Sequence, residues 1–167
     1  SDSLTLISDI SRRMPLESFN GDRKQRLNDL KDSFVSATDE CLGDRRGLLA
    51  FSGGHDSRCV AAALKLTQKP FISATFVNDD ISSRNDMKCA MQLAEILNME
   101  HKVLNLAPED ETHYRSLYTL KNGLNFMSVV FMLNFLQKLR KEFDEDYVFF
   151  TGDGGDRIMQ PLYASKL

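Results

Sequence analysis

Apolar residues recur along this chain with helical spacing in some segments and in short unbroken runs in others. Between Asp22 and Leu42 they stand three or four positions apart among charged residues, which predicts an amphipathic helix that ends near Gly43. The apolar side of this helix comprises Leu27, Leu30, Phe34, Ala37 and Cys41.

Four short apolar runs predict β-strands. The second is rich in β-branched and aromatic residues and stops at the polar residues Asn78 to Asp80. The predicted strands are Gly47–Phe51, Phe71–Val77, His101–Leu106 and Tyr147–Phe150.

Segments of helical character lie between these strands. They are Ser57–Leu66, a helix capped by Ser82 or Ser83 whose buried side is Met87, Ala90, Met91, Ala94 and Leu97, and helices over about Glu109–Leu120 and Asn125–Glu142, with a turn at Asn122-Gly123. Parallel strands need crossover connections, so the alternation predicts an α/β fold: a doubly wound parallel sheet with helices on both faces.

Composition and charge narrow the class of protein. The 167 residues are 42% hydrophobic and 27% charged, as in a soluble domain with its own core. A net charge of -3 argues against a nucleic-acid partner. The most apolar stretch, Phe126–Leu136, is too short to cross a bilayer and is interpreted as a buried helix.

Without a visible signal peptide, we expect a cytoplasmic protein with no membrane partner. Cys41, Cys59 and Cys89 lack the spacing of metal ligands, so we expect buried, reduced thiols.

Two glycine-containing loops follow predicted strands at the end where parallel sheets bind ligands. The sequence SGGHDS (52–57) follows the first strand and precedes a helix, so its backbone N–H groups and the helix dipole favour a phosphate group. It lacks the lysine and the spacing of a Walker A loop. The sequence TGDGGD (151–156) follows the fourth strand, and its Asp153 and Asp156, together with Asp56, are suitable ligands for Mg²⁺.

Each loop also has a simpler interpretation when it is taken alone. A Gly-Gly pair between a strand and a helix is more often a tight connection, and a stretch rich in glycine and aspartate is more often a solvated turn. Two such loops at the same edge of one sheet favour a shared binding site for an anion and a cation.

These residues resemble a known family. The segment LLAFSGGHDSRCVAAAL resembles the PP-loop, S-G-G-x-D-S, of the N-type ATP pyrophosphatases, and VFFTGDGGD resembles the S-G-E-G-x-D-E segment of the asparagine synthetase synthase domain. The resemblance spans about Asp22 to Asp156 and implies the adenine nucleotide alpha hydrolase-like (PP-loop ATPase) fold. It also implies an ATP- and Mg²⁺-dependent ligase that adenylates a carboxylate, releases pyrophosphate and lets ammonia or an amine displace AMP.

The resemblance implies roles for particular residues by matching position. The residues that would hold the pyrophosphate portion of ATP are Ser52, Gly53, Gly54, Asp56 and Ser57. Those that would meet adenine or the activated substrate are Ala74, Thr151 and Gly152. Asp56, Asp153 and Asp156 would be catalytic, with Asp56 and Asp156 on Mg²⁺.

The sequence departs from the family pattern in several places. Asp153 replaces a glutamate, Arg157 replaces an acidic residue, and GLNFMSVVF (123–131) lacks the carboxylates of the family's segment, which leaves the acceptor substrate open. No catalytic lysine is assignable, because the family's helical region that supplies it would follow Leu167. We therefore expect residues 1–21 to be an N-terminal extension and residues 22–167 to be a synthase-like domain without its C-terminal helical part.

The expected partners are a small-molecule carboxylate, a glutaminase domain or other ammonia donor, and a second copy of the chain. Two other functions stay open. One is a PP-loop ATP pyrophosphatase that modifies tRNA or transfers sulfur, which the lack of a basic surface disfavours. The other is a nucleotide-binding module without turnover.

Overall fold

The computed structural model describes residues 22–123, 129–143 and 146–155, which form helices and strands in the predicted order. The helices are α1 (Arg23–Leu42), α2 (His55–Thr67), α3 (Ile81–Ile96), α4 (Glu111–Leu120) and α5 (Val130–Glu142). The strands are β1 (Arg46–Ala50), β2 (Phe71–Val77), β3 (His101–Asn105) and β4 (Tyr147–Phe150). None of these helices is long and apolar enough to span a bilayer.

The four strands form one parallel sheet in the order β3-β2-β1-β4. Leu48 of β1 stands opposite Ile72 on one side and Phe149 on the other, so β1 is a central strand. The chain therefore leaves β1 and β4 at the same edge of the sheet, on neighbouring strands. This geometry brings the two glycine-containing loops side by side.

Each face of the sheet carries its own apolar cluster, because successive side chains of a strand point to opposite faces. One cluster joins the sheet to α5 and comprises Leu48, Ile72, Ala74, Leu104, Leu106, Phe135 and Leu139. The other joins it to α1, α2 and α3 and comprises Leu42, Leu49, Phe51, Ala61, Leu64 and Ala90. The predicted α/β fold, a parallel sheet with helices on both faces, is confirmed.

Most element boundaries lie within a few residues of the prediction, and β2 and β4 match it at both ends. The predicted cap of α3 was wrong. Asp80 is the N-cap, and its carboxylate accepts a hydrogen bond from the Ser82 N–H (3.3 Å). Ser83 is buried, and its hydroxyl donates to Asn78 Oδ1 (2.5 Å). Of the start predicted for α5, residues 125–128 lie outside the described residues.

The apolar side of α1 is not part of the core, contrary to what its amphipathic pattern implies. Leu27, Leu30 and Phe34 are 56%, 63% and 42% exposed. The buried residues of α1 are Thr38 and Leu42, both near its end. The helix packs against α2 through its last turns, so its first half contributes little to the core.

Two further expectations about burial were wrong. Met91, assigned to the buried side of α3, is 49% exposed, because Ala90 and Ala94 occupy the contact with the sheet. The thiols of Cys41, Cys59 and Cys89 are free, as expected, but Cys41 and Cys89 are exposed rather than buried.

Candidate functional site

The first loop is tied together by its own serine hydroxyls. The Gly54 N–H donates to Ser52 Oγ (3.2 Å), and the Ser57 hydroxyl donates to the Gly54 carbonyl (3.1 Å). The two hydroxyl oxygens are 3.4 Å apart. These bonds fold the chain from the end of β1 directly into the first turn of α2.

Glycine is required at position 53 for two reasons. Its φ of +78° lies in the left-handed region, which side chains rarely adopt. A Cβ atom there would also lie 2.9 Å from Cys89 Sγ and 3.0 Å from the Ala90 nitrogen of α3. The loop therefore lies between the sheet and α3, and Gly53 itself is buried.

The second loop lies directly against the start of α2. A Cβ atom on Gly152 would be 2.6 Å from the Ser57 nitrogen, and one on Gly155 would be 2.5 Å from Asp56 Cγ. Only residues without a side chain allow this approach. The structure therefore brings the two loops into contact, with Asp56 and Ser57 on one side and Gly152 and Gly155 on the other.

A cavity of about 470 Å³ opens where the loops meet. The residues that line its polar side are Ser52, Gly54, His55, Asp56, Ser57, Thr151, Gly152 and Asp153. Thr75, Ser83 and Asp86 also belong to the lining. Its apolar side is lined by Phe76, Val129, Phe131, Met132 and Phe135, above Ala50, Phe51 and Ala74. Of the predicted site residues, Gly53 does not line the cavity, and Asp156 lies outside the described residues.

The first turn of α2 presents backbone donors to the polar side of this cavity. The first hydrogen bond within the helix runs from the Arg58 N–H to the Gly54 carbonyl (3.0 Å). The N–H groups of His55, Asp56 and Ser57 precede this bond and have no acceptor within the helix. With the positive end of the helix dipole, they suit an anionic group such as a phosphate.

Carboxylates surround the same space. Asp56, Asp86 and Asp153 line the cavity. Within the part of the chain that the structure describes, no three His, Cys, Asp or Glu residues are grouped closely enough to hold a metal ion. Mg²⁺ characteristically takes one or two protein carboxylates together with phosphate oxygens and water, so the carboxylate of Asp56, in the first turn of α2, is of the type that such an ion uses.

Ala74 lies on the floor of the cavity. It is fully buried, and its carbonyl accepts a hydrogen bond from the Phe51 N–H (2.9 Å). The Thr75 hydroxyl donates to the Phe51 carbonyl and fixes the same corner. Position 74 therefore supplies a small side chain that keeps the floor open, and the larger neighbouring surface comes from Phe76.

Several lining residues are not among the predicted site residues. Ser83 and Asp86 stand three residues apart on α3, on the helix side that continues to Ala90. Two polar residues on an otherwise buried helix side are a readable signal of a site. Phe131 and Met132 gave no such signal, because their pattern is also that of a core helix.

Among the residues that the structure describes, the groups with shifted pKa values lie outside this cavity. Burial lowers the pKa of His101 at the start of β3, and its Nδ1 is 2.9 Å from the Ser73 Oγ of β2. His101 lines a second cavity of about 520 Å³, beside α3, that contains none of the predicted site residues. The pKa of Asp110 is lowered mainly by the hydrogen bond from the His113 N–H in the capping box of α4. Neither group lines the cavity between the two loops.

Comparison with known proteins gives one family match. The profile described as asparagine synthase matches residues 29–164. A structurally similar chain is the NMN synthetase from Francisella tularensis, with a TM-score of 0.46 and 17% identity, covering 71% of this chain. The present chain spans 52% of the length of that structure. No curated protein matches the sequence significantly.

Proposed function

Because the chain belongs to the asparagine synthase family, whose members use ATP, we propose that it is an ATP-dependent amide-forming ligase. In this proposal it adenylates a carboxylate with release of pyrophosphate. Ammonia or an amine then attacks the acyl-adenylate and displaces AMP. The family membership supports ATP as a substrate, and the specific reaction is our inference.

The contact between the two loops is the observation that carries this proposal. Gly152 and Gly155 approach Asp56 and Ser57 so closely that no side chain fits between them. Such a contact lets one ligand reach the donors of α2 and the residues after β4 at the same time.

The polar side of the cavity suits a triphosphate. We propose that Ser52, Gly53, Gly54, Asp56 and Ser57 hold its pyrophosphate portion, and that Thr151 and Gly152 lie beside the α-phosphate and the activated acyl group. When a carboxylate oxygen bonds to the α-phosphorus, the bond from that phosphorus to the bridging oxygen breaks. Negative charge then grows on pyrophosphate, and backbone donors fixed in advance stabilise it without reorganisation.

The second step is acyl transfer. The nitrogen lone pair bonds to the acyl carbon, AMP leaves with the electron pair of the carbon–oxygen bond, and the nitrogen loses a proton to give the amide. We propose that Asp153 lies near the reacting groups in this step. The nitrogen source in the proposal is free ammonia, an amine or a glutaminase partner.

We propose that Mg²⁺ is held by Asp56 and by Asp156, the latter outside the described residues. The bound ion would neutralise phosphate charge beside these carboxylates. We further propose that the protein is cytoplasmic and that it acts as a homo-oligomer.

A pyrophosphate-release assay tests the proposal. The full-length protein is incubated with ATP, Mg²⁺ and a panel of carboxylic acids, and release is expected only when a suitable acid is present. Release that is independent of any acid would contradict a ligase, and tight ATP binding by the full-length protein without release for every acid would indicate a binding module instead.

A further inference from the structure

The fold leaves the apolar side of α1 exposed to solvent. Its large members Leu27, Leu30 and Phe34 are 56%, 63% and 42% exposed, and Ala37 and Cys41 are also exposed. The buried residues of α1 stand beside this side rather than on it, because each follows one of its members by a single position. A contiguous row of exposed apolar side chains of this kind marks an interaction surface.

The spacing of these five residues indicates what kind of element covers them. Successive members are separated by three, four, three and four positions, an average of 3.5. A stripe with this period is the narrow seam of a coiled coil, whereas a helix that covers a sheet usually carries a wider apolar side. The surface therefore suits another helix better than a sheet.

The charges of α1 are divided between its two halves. Residues 23–31 include four basic residues and one acidic residue, and residues 32–42 include three acidic residues and no basic one. This division opposes the helix dipole, which favours acidic residues in the first turn and basic residues in the last, and α1 has neither. Two ion pairs within the chain offset part of it, Lys31 with Asp32 (3.1 Å) and Lys69 with Asp39 (2.6 Å). A second α1 that runs in the opposite direction would place each half against the opposite charge.

We propose that the apolar side of α1 binds α1 of a second copy of the chain, with the two helices antiparallel. A two-fold pairing centred between Leu30 and Phe34 sets Leu30 of each copy against Phe34 of the other. Arg26 and Glu40, which are exposed and border the apolar side, then face each other across the interface twice. A parallel pairing would bring the two basic halves together, so the charges favour the antiparallel arrangement. The interface does not depend on the proposed ligase reaction.

Sedimentation equilibrium of the full chain measures this association. The chain is expected to show a reversible equilibrium between one and two copies over about 1 to 300 µM. No nucleotide or Mg²⁺ is added, so the result is separate from ATP binding and turnover. Circular dichroism of each variant shows whether the fold is preserved.

The first test variant is Leu30→Gln, with Leu120→Gln on α4 as its matched control. Both leucines are exposed helix residues, at 63% and 68%, and glutamine is a good helix former, so both variants are expected to fold. Leu30→Gln is expected to raise the Kd of the dimer about tenfold or more, because each copy loses apolar area at the centre of the interface. Leu120→Gln is expected to leave the Kd unchanged.

The second test exchanges the charges that border the apolar side. Arg26→Glu and Glu40→Arg are each expected to raise the Kd about fivefold in low salt, because two attractive pairs become repulsive. The double variant restores both pairs with their signs exchanged, so its Kd is expected to return close to that of the unmodified chain. Only an antiparallel pairing of two copies predicts this recovery.

Three results would overturn the inference: a single copy at every concentration, equal effects of Leu30→Gln and Leu120→Gln on the Kd, or a double charge variant that associates no more tightly than the single variants. In the first case, a loss of folding stability in Leu30→Gln would assign the apolar side of α1 to contacts within one chain.

Discussion

Replacing Gly152 by alanine tests the contact between the two loops most sharply. The added Cβ would be 2.6 Å from the Ser57 nitrogen and 3.0 Å from the Asp56 carbonyl carbon, both backbone atoms that do not move as a side-chain end does. Restoring an ordinary contact of 3.4 Å moves the turn about 0.8 Å away from α2. A displacement of about 1 Å in a reacting site costs roughly 100-fold in rate, which is the expected loss of kcat/KM for pyrophosphate release.

The matched control is Gly154→Ala, two residues along the same turn. A Cβ at Gly154 has nothing within 4 Å, but its φ of +86° makes alanine strained. This variant is expected to lose about 1–3 kcal/mol of stability and to keep its activity at temperatures where it is folded. A role for this contact is refuted if Gly152→Ala releases pyrophosphate within about threefold of the unmodified chain, or if Gly154→Ala is the more impaired of the two.

Three other outcomes follow from the structure. Asp56→Asn is expected to weaken Mg²⁺-dependent ATP binding in calorimetry, whereas Asp79→Asn on the surface is not, and equal affinities would remove Asp56 from the site. In urea titration, Leu42→Ala is expected to lower the unfolding free energy by about 2–5 kcal/mol, and Leu30→Ala is expected to lower it by less than about 0.5 kcal/mol. Equal losses would mean that α1 is buried along its length. Burial lowers the pKa of His101 in the folded state, so the unfolded state takes up the proton more readily. The contribution of His101 to stability is therefore complete above its ordinary pKa of 6.5 and is lost as the pH falls below that value. His101→Gln is expected to reduce this loss in thermal unfolding, and an unchanged pH profile would refute it.

The strands could be predicted because short apolar runs of β-branched and aromatic residues have few alternatives to the β-strand as a secondary structure. β2 begins and ends where the sequence indicates, since its apolar run stops at Asn78. The parallel orientation of the strands follows from the intervening helices, and with it the prediction that the loops after β1 and β4 lie at one edge, whereas the strand order β3-β2-β1-β4 comes from the structure. These features depend on local pattern and topology alone.

The helix contacts were less predictable, because periodicity shows that a helix has an apolar side but not what covers it. The exposed side of α1 and the exposed Met91 are examples. Phe131 and Met132 have the sequence pattern of core residues for the same reason, although they line the cavity. Ser83 and Asp86 are different, because two polar residues on the side of α3 that continues to Ala90 are a signal that the sequence itself contains.

A crystal structure of the chain with Mg²⁺ and α,β-methylene-ATP tests the central claim directly. The triphosphate is expected to contact the first turn of α2 at Gly54 and Ser57 and, in the same molecule, Thr151 or Gly152 after β4. A nucleotide bound elsewhere, such as in the cavity beside His101, or one that contacts only one of the two loops, would contradict the account.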